Sequence, residues 1–198
     1  AAAGSMTCII ENASYRIRVD EQMRVHIYDK EAGEYLDDFS SPYTMGQVLC
    51  RNIPTGTISA QHFSSVKVEQ QGPVAQSLVM RGSADGCPQI VQEITLYQEE
   101  KRVDIAIAIL KDATPLQETF AAFPFSGSDP FFSYRRALGV STTIQDQLPG
   151  SNTHHYTVQQ WSCVHTDRGD RMLASMEARI FEYGELRPTA VSQAHHGV

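Results

Sequence analysis

The side chains with the most chemical potential in this 198-residue chain fall in one run, residues 146–161, DQLPGSNTHHYTVQQW. It holds a Pro-Gly turn, a Ser-Asn pair, two adjacent histidines, a tyrosine and the only tryptophan. Such a turn-rich polar run makes poor core and suits a ligand-facing loop. Gln147, Ser151 and Asn152 carry amides and a hydroxyl, groups that match sugar hydroxyls as donors and acceptors. Trp161 has two readings: a face on which a pyranose stacks, or a core anchor, which its strand position favours. In an extended segment His154 and His155 point apart, so they are not expected to share one metal ion. His155 is read as facing a ligand cleft or an interface, and no metal site is expected within the chain.

Acid–base chemistry needs carboxyl groups at fixed spacing, about 5 Å apart for retaining glycoside hydrolysis. The adjacent pairs Asp37-Asp38 and Glu99-Glu100 do not meet this need, because neighbouring strand residues face opposite sides. Both pairs are expected to be solvated turn charges, and no catalytic residue is assigned. A base–acid pair of the sugar-mutarotase type would draw His155 together with Glu93 or Glu118. Arg135-Arg136, beside Tyr134, reads as a solvated strand end.

The positioning elements are strands. Tyr15, Ile17 and Val19 alternate with Arg16, Arg18 and Asp20, and Val25 and Ile27 alternate with Arg24, His26 and Tyr28. This predicts a hairpin with one packed and one wet face. Further strands are expected over residues 64–70, 74–82, 90–97 and 102–110. In the last of these Val103, Ile105, Ile107 and Ile109 share a face, and Ala106 and Ala108 on the other suggest a second layer close by. Residues 116–125, 131–136, 138–144, 156–164, 171–176 and 178–183 complete the set, with a tight turn at residues 167–170. No segment has helical periodicity over three turns. The fold class expected is therefore all-β, an antiparallel β-sandwich, with residues 7–198 as a single domain. Residues 1–6, AAAGSM, read as a cloning scar.

Composition narrows the partners. There are 16 Lys and Arg against 23 Asp and Glu, a net charge of -7. With no basic stripe, a nucleic-acid partner is not expected. No apolar run has the length to cross a bilayer, so no membrane partner is expected either. The four cysteines show no CxxC spacing, and no leader-like start is seen, which suggests buried free thiols in a reducing cytoplasm.

Four anchors occur in order along the chain. They are Ile10-Glu11-Asn12 through Tyr15-Arg16-Ile17 with Ile27-Tyr28-Asp29-Lys30-Glu31-Ala32-Gly33-Glu34, Ile94-Thr95-Leu96-Tyr97 with Arg102-Val103-Asp104, Ala122-Phe123-Pro124-Phe125, and the 146–161 run with residues 188–192 and 194–197 beyond it. Together they resemble the β-region of glycoside hydrolase family 38, the α-mannosidases. The resemblance implies a galactose-mutarotase-like supersandwich, truncated here, that follows a catalytic α/β barrel. It implies that the carboxylate nucleophile, the acid/base and a zinc cofactor belong to that barrel and not to this fragment. The function it implies is a non-catalytic domain that braces the barrel and borders a mannoside cleft, with Gln147, Ser151, Asn152, His155 and Trp161 as carbohydrate-cleft candidates. The barrel of the same chain and a carbohydrate are then the expected partners, with homo-oligomers possible through exposed sheet edges. The alternatives are a stand-alone carbohydrate-binding module and a mutarotase-type epimerase.

Overall fold

In a computed structural model, residues 8–184 and 186 are described, and among them there is no helix. Hence no helix is long and apolar enough to cross a membrane. The strands are antiparallel throughout, as the alternation predicts. The chain forms two compact units, residues 1–52 with 57–126 and residues 53–56 with 127–198. The segments at 1–6 and 188–197 lie outside the described residues.

Unit 1 runs through β1 (Cys8–Glu11), β2 (Tyr15–Val19), β3 (Val25–Asp29), β4 (Glu34–Tyr35), β5 (Gln47–Asn52), β6 (Ile58–Ala60), β7 (His62–Gln71), β8 (Ala75–Ala84), β9 (Cys87–Tyr97), β10 (Val103–Leu110) and β11 (Gln117–Ala122). They make three sheets, ordered β1-β2-β3-β4, β10-β9-β8-β7 and β11-β5-β6. Ile10, Ile17, Val19, Val25 and Ile27 of the first sheet share one core with Leu78, Met80, Ile94 and Leu96 of the second. The third sheet adds Val48 and Cys50, which pack on Cys87 and Ile90 of the same long strand β9. This is sheet-on-sheet packing, driven by removal of the alternating apolar face from water. Between the two clusters, buried Gln92 donates from Nε2 to the carbonyl of Met45 at 3.1 Å. Gly46 follows with φ 72°, and a Cβ there would lie 2.5 Å from Gln92 Nε2, so the close approach requires glycine.

Three of the sequence anchors prove architectural in unit 1. Buried Asn12 uses its whole amide: Oδ1 accepts from the amides of Ser14 and Tyr15, and Nδ2 donates to the carbonyls of Tyr97 and Glu100. It thereby ties the β1–β2 turn to the β9–β10 turn. Asp29 Oδ1 accepts from the amides of Glu31 and Ala32, closing the turn that Gly33 completes at φ 73°. Phe123 and Phe125 pack on the core, and Pro124 accepts from the amide of Asp38.

Some expectations need correction. Ala106 and Ala108 are exposed, so among the described residues no second layer covers that face of β10. Its isoleucine face packs inward, with Ile105 and Ile107 against the two core clusters. His26, expected on the wet face of its hairpin, is buried, as is Asp37, expected to be a solvated turn charge. Strand β5 lies outside the strands expected: its side chains are buried on both faces, so no alternation marks it.

Unit 2 contains β12 (Phe131–Arg136), β13 (Gly139–Thr142), β14 (Tyr156–Thr157), β15 (Trp161–Thr166), β16 (Gly169–Ala174) and β17 (Ile180–Phe181). One sheet has the order β13-β12-β15-β16, and β14 pairs with β17. Its core is aromatic: Tyr134, Tyr156 and Val158, with Phe181 and Tyr183 against them. Burial pushes the Tyr183 hydroxyl up to about 12, against the hydrogen bond it shares with Ser162. The strand expected over residues 156–164 is broken at Gln159. The chain there changes partner, with Val158 donating to the Arg179 carbonyl and Gln159 to that of Arg135. The turn expected over residues 167–170 is tighter than predicted. Thr166 pairs with Gly169, so only Asp167 and Arg168 lie in the loop.

Candidate functional site

The 142–156 loop carries most of the carbohydrate-cleft candidates, and its polar atoms are largely committed to folding it. Gln147 Oε1 accepts from the amide of Ile144 at 3.0 Å and from the Tyr156 hydroxyl at 3.2 Å. Its Nε2 donates to the carbonyl of Asn152 at 3.0 Å. Ser151 Oγ donates to the Leu148 carbonyl, and Asn152 Oδ1 accepts from the amide of His154. Gln147 is therefore the internal brace of the loop. Asn152, whose Nδ2 is not used in these bonds, is exposed, and His155 is half-buried. Trp161 stands apart from the aromatic core at the start of β15, half-buried.

The mutarotase-type pairing is divided between the units. His155 belongs to unit 2, whereas Glu93 and Glu118 belong to unit 1. Glu118 is also occupied by the buried guanidinium of Arg51, at 2.6 Å. Of the acidic pairs, Glu100 meets Arg102 at the surface, while Asp37 is drawn inside by His26. Arg135 is half-buried and Arg136 exposed.

His26 sits in unit 1 between two carboxylates. Its Nδ1 is 2.8 Å from Asp37 Oδ2 and its Nε2 is 3.0 Å from Asp20 Oδ2. Asp37 also accepts from the amide of Ile27, and Asp20 from those of Gln22 and Arg24. Phe39 stacks on the ring at 4.6 Å between centroids. Each ring nitrogen faces a carboxylate oxygen. Burial raises the Asp20 carboxyl, but the His26 hydrogen bond and the Arg24 and Gln22 amides outweigh it and hold the group below the usual carboxylate value. The cluster is a closed clamp on the β2–β3 hairpin.

A groove of about 620 Å³ also opens in unit 1, lined by Arg24, Thr44, Gln47, Gln61, His62 and Phe63 among others. Most of its polar groups are engaged by backbone: Arg24 with Ser41 and Tyr43, Thr44 with Val25, and Gln47 with Thr44 and Gln61.

Sequence reasoning missed a second constellation, on one face of the unit-2 sheet. Cys163 and His165 are two apart on β15, so they share a face, and Asp170 pairs directly across from His165. His165 Nδ1 lies 2.8 Å from Asp170 Oδ1 and 4.0 Å from Cys163 Sγ. Its Nε2 is 2.7 Å from the hydroxyl of Ser133 on β12. Phe131 stacks on the imidazole, 4.4 Å between centroids and 13° from parallel. The chain is expected to hold no His-x-Asp triplet, yet one occurs here, His165-Thr166-Asp167. Its aspartate, Asp167, accepts from the amide of Ser128 and takes no part in the His165 contacts. All four cysteines are free and buried. Burial pushes the Cys163 thiol up, with the Asp170 charge adding to it. In unit 1 Cys50 and Cys87 lie 3.8 Å apart, and burial pushes the Cys50 thiol up to about 11, with the Cys87 hydrogen bond and charge adding to it.

No protein-family model matches this chain, and no curated protein matches it.

Proposed function

We propose that this chain is the non-catalytic β-region of an α-mannosidase-like retaining glycoside hydrolase, a supersandwich of the galactose-mutarotase type. Its work is to brace a catalytic barrel and border the sugar cleft. The observation that carries this reading is a set of exposed large side chains on the face of the unit-2 sheet that also bears Ser133, His165 and Asp170. Val140, Phe131 and Met172 stand on it at 51%, 52% and 66% exposure, although the opposite face of the same sheet is packed. Exposed large side chains gathered on one face mark an interaction surface rather than a solvated exterior. Leu138, Ile144 and Leu148, in neighbouring turns, are more exposed still. The four ordered anchors supply the identity of the partner. Zinc, in this reading, belongs to the barrel, and no residue of this chain is assigned to it.

The test compares the chain alone with a longer protein that carries the barrel. Aryl α-mannosides are expected to be hydrolysed only by the longer protein. Within it, Phe131→Asp with Met172→Glu lowers the melting temperature and the turnover together. Turnover by purified chain alone, or a longer protein indifferent to both charges, overturns the reading. A nuclear magnetic resonance titration with mannose is expected to move the Asn152 and His155 amides of the longer protein before those of Gln147.

A further inference from the structure

We propose that Cys163, His165 and Asp170 form a binding site for a divalent cation of zinc type, with a fourth position left to solvent or a ligand oxygen. The inference rests on the sheet geometry alone and needs no part of the mannosidase reading. Antiparallel register brings a thiol, an imidazole and a carboxylate to one face, and their ligand atoms all lie within 4.8 Å of one another. Zinc takes nitrogen and oxygen at about 2.0–2.2 Å and sulfur at about 2.3 Å, so tetrahedral edges are about 3.4 Å for N···O and about 3.6 Å for S···N. The observed 2.8 Å and 4.0 Å bracket those edges. Small side-chain rotations reach them, and Asp170, at the rim with its side chain 68% exposed, is free to make them.

A second set of contacts points the same way. A metal-bound histidine characteristically has its other ring nitrogen hydrogen-bonded, which fixes ring and tautomer. Ser133 stands at hydrogen-bond distance from Nε2, and Phe131 covers the ring face. With no metal, Nδ1–H donates to Asp170 and the serine hydroxyl donates to Nε2. With metal, Nδ1 gives up its proton and coordinates, Nε2–H forms, and the same hydroxyl turns to accept. Binding also releases the thiol proton of Cys163, and no electron changes hands. A hydroxyl serves both tautomers because it both donates and accepts. The mixed S, N, O donor set suits zinc better than calcium or magnesium, which take oxygen.

Ser133, His165 and Asp170 also resemble a nucleophile–base–acid relay. Yet Ser133 lies in mid-strand, 9% exposed, with β13 and β15 paired on both flanks. Backbone amides locked into a ladder supply no oxyanion hole, which acyl transfer requires.

The test is Co²⁺ added to chelator-treated full chain. One equivalent is expected to bind with a near-ultraviolet thiolate charge-transfer band, and zinc displaces it. Cys163→Ser abolishes the band, whereas Cys50→Ser leaves it intact. Asp170→Asn, at an exposed position where folding is not at risk, weakens affinity at least tenfold. Nitrogen-15 shifts of His165 are expected to report transfer of the ring proton from Nδ1 to Nε2 on zinc binding. Absence of the band in the unsubstituted chain, its survival in Cys163→Ser, an Asp170→Asn affinity equal to that of the parent, or labelling of Ser133 by a fluorophosphonate without metal uptake overturns the proposal.

Discussion

His26 in unit 1 and His165 in unit 2 have nearly the same immediate geometry and opposite uses. Each places Nδ1 2.8 Å from an aspartate, and each has a phenylalanine stacked on its ring. They differ in the second nitrogen and in access. His26 meets another carboxylate, Asp20, and its side chain is 3% exposed, while His165 meets a hydroxyl and is 21% exposed. Both ring nitrogens of His26 are taken up by carboxylate oxygens, and neither faces open space where an ion could sit. The hydroxyl beside His165 serves either tautomer, so Nδ1, beside the thiol, is able to pass its proton to Nε2 and turn a lone pair to an ion. A carboxylate–histidine contact is therefore an architectural feature where it is closed and doubly acidic, and a reactive one where a hydroxyl replaces the second acid.

The largest effect that divides the two is on stability. Asp37→Ala removes the acceptor of both His26 Nδ1 and the Ile27 amide in a buried setting. Breaking a buried pair by deleting one partner costs about 3–5 kcal/mol, and a fall of that size is expected in urea denaturation. Asp170→Asn, at the rim, is expected to cost under about 1 kcal/mol. Equal costs at the two sites would erase the distinction.

Acid is the next lever. The folded Asp20 carboxyl is held below its ordinary value, so near and below that value the unfolded chain binds more protons than the folded one. Its contribution is complete above the unfolded carboxylate value of about 3.9 and is lost as pH falls through the folded one. Asp20→Asn is expected to flatten that acid limb of a stability–pH curve while leaving its neutral region less stable but parallel. An unchanged limb would separate Asp20 from the clamp.

The sequence makes this contrast only half legible. Local alternation marks the strands that carry both histidines, since side-chain direction depends on neighbours in the chain. The cover of His26 comes from Asp37 and Phe39 beyond the hairpin, and no period encodes that. For His165 the signal was nearer. Cys163-x-His165 is a one-face spacing, and a two-residue loop at Asp167 and Arg168 sets Asp170 opposite His165. Placing Asp170 in the turn hides it, because one residue of register moves a side chain to the other face. Ser133 comes from β12, 32 residues away, and only the sheet order reveals it. In the 142–156 loop the residue types are legible, whereas the bonds that tie Gln147 to Ile144, Asn152 and Tyr156 are not. An amide that suits a sugar suits a backbone equally well.

A modest effect is the sharpest test of the hydroxyl's role. Ser133→Ala removes a side chain that is nearly buried, and the lost hydrogen bond is expected to cost about 1 kcal/mol. The metal-free ring should hold its place, because Asp170 still accepts from Nδ1–H and Phe131 still covers the face. With metal the outcome differs, since Nε2–H then has no oxygen to meet. Loss of such an outer partner weakens metal affinity about 10–100-fold. The two readouts separate the roles: a residue that only fills space moves stability and leaves affinity alone, whereas an orienting hydroxyl moves both. His26 offers no counterpart experiment, because both of its partners are acids and removal of either collapses the clamp itself.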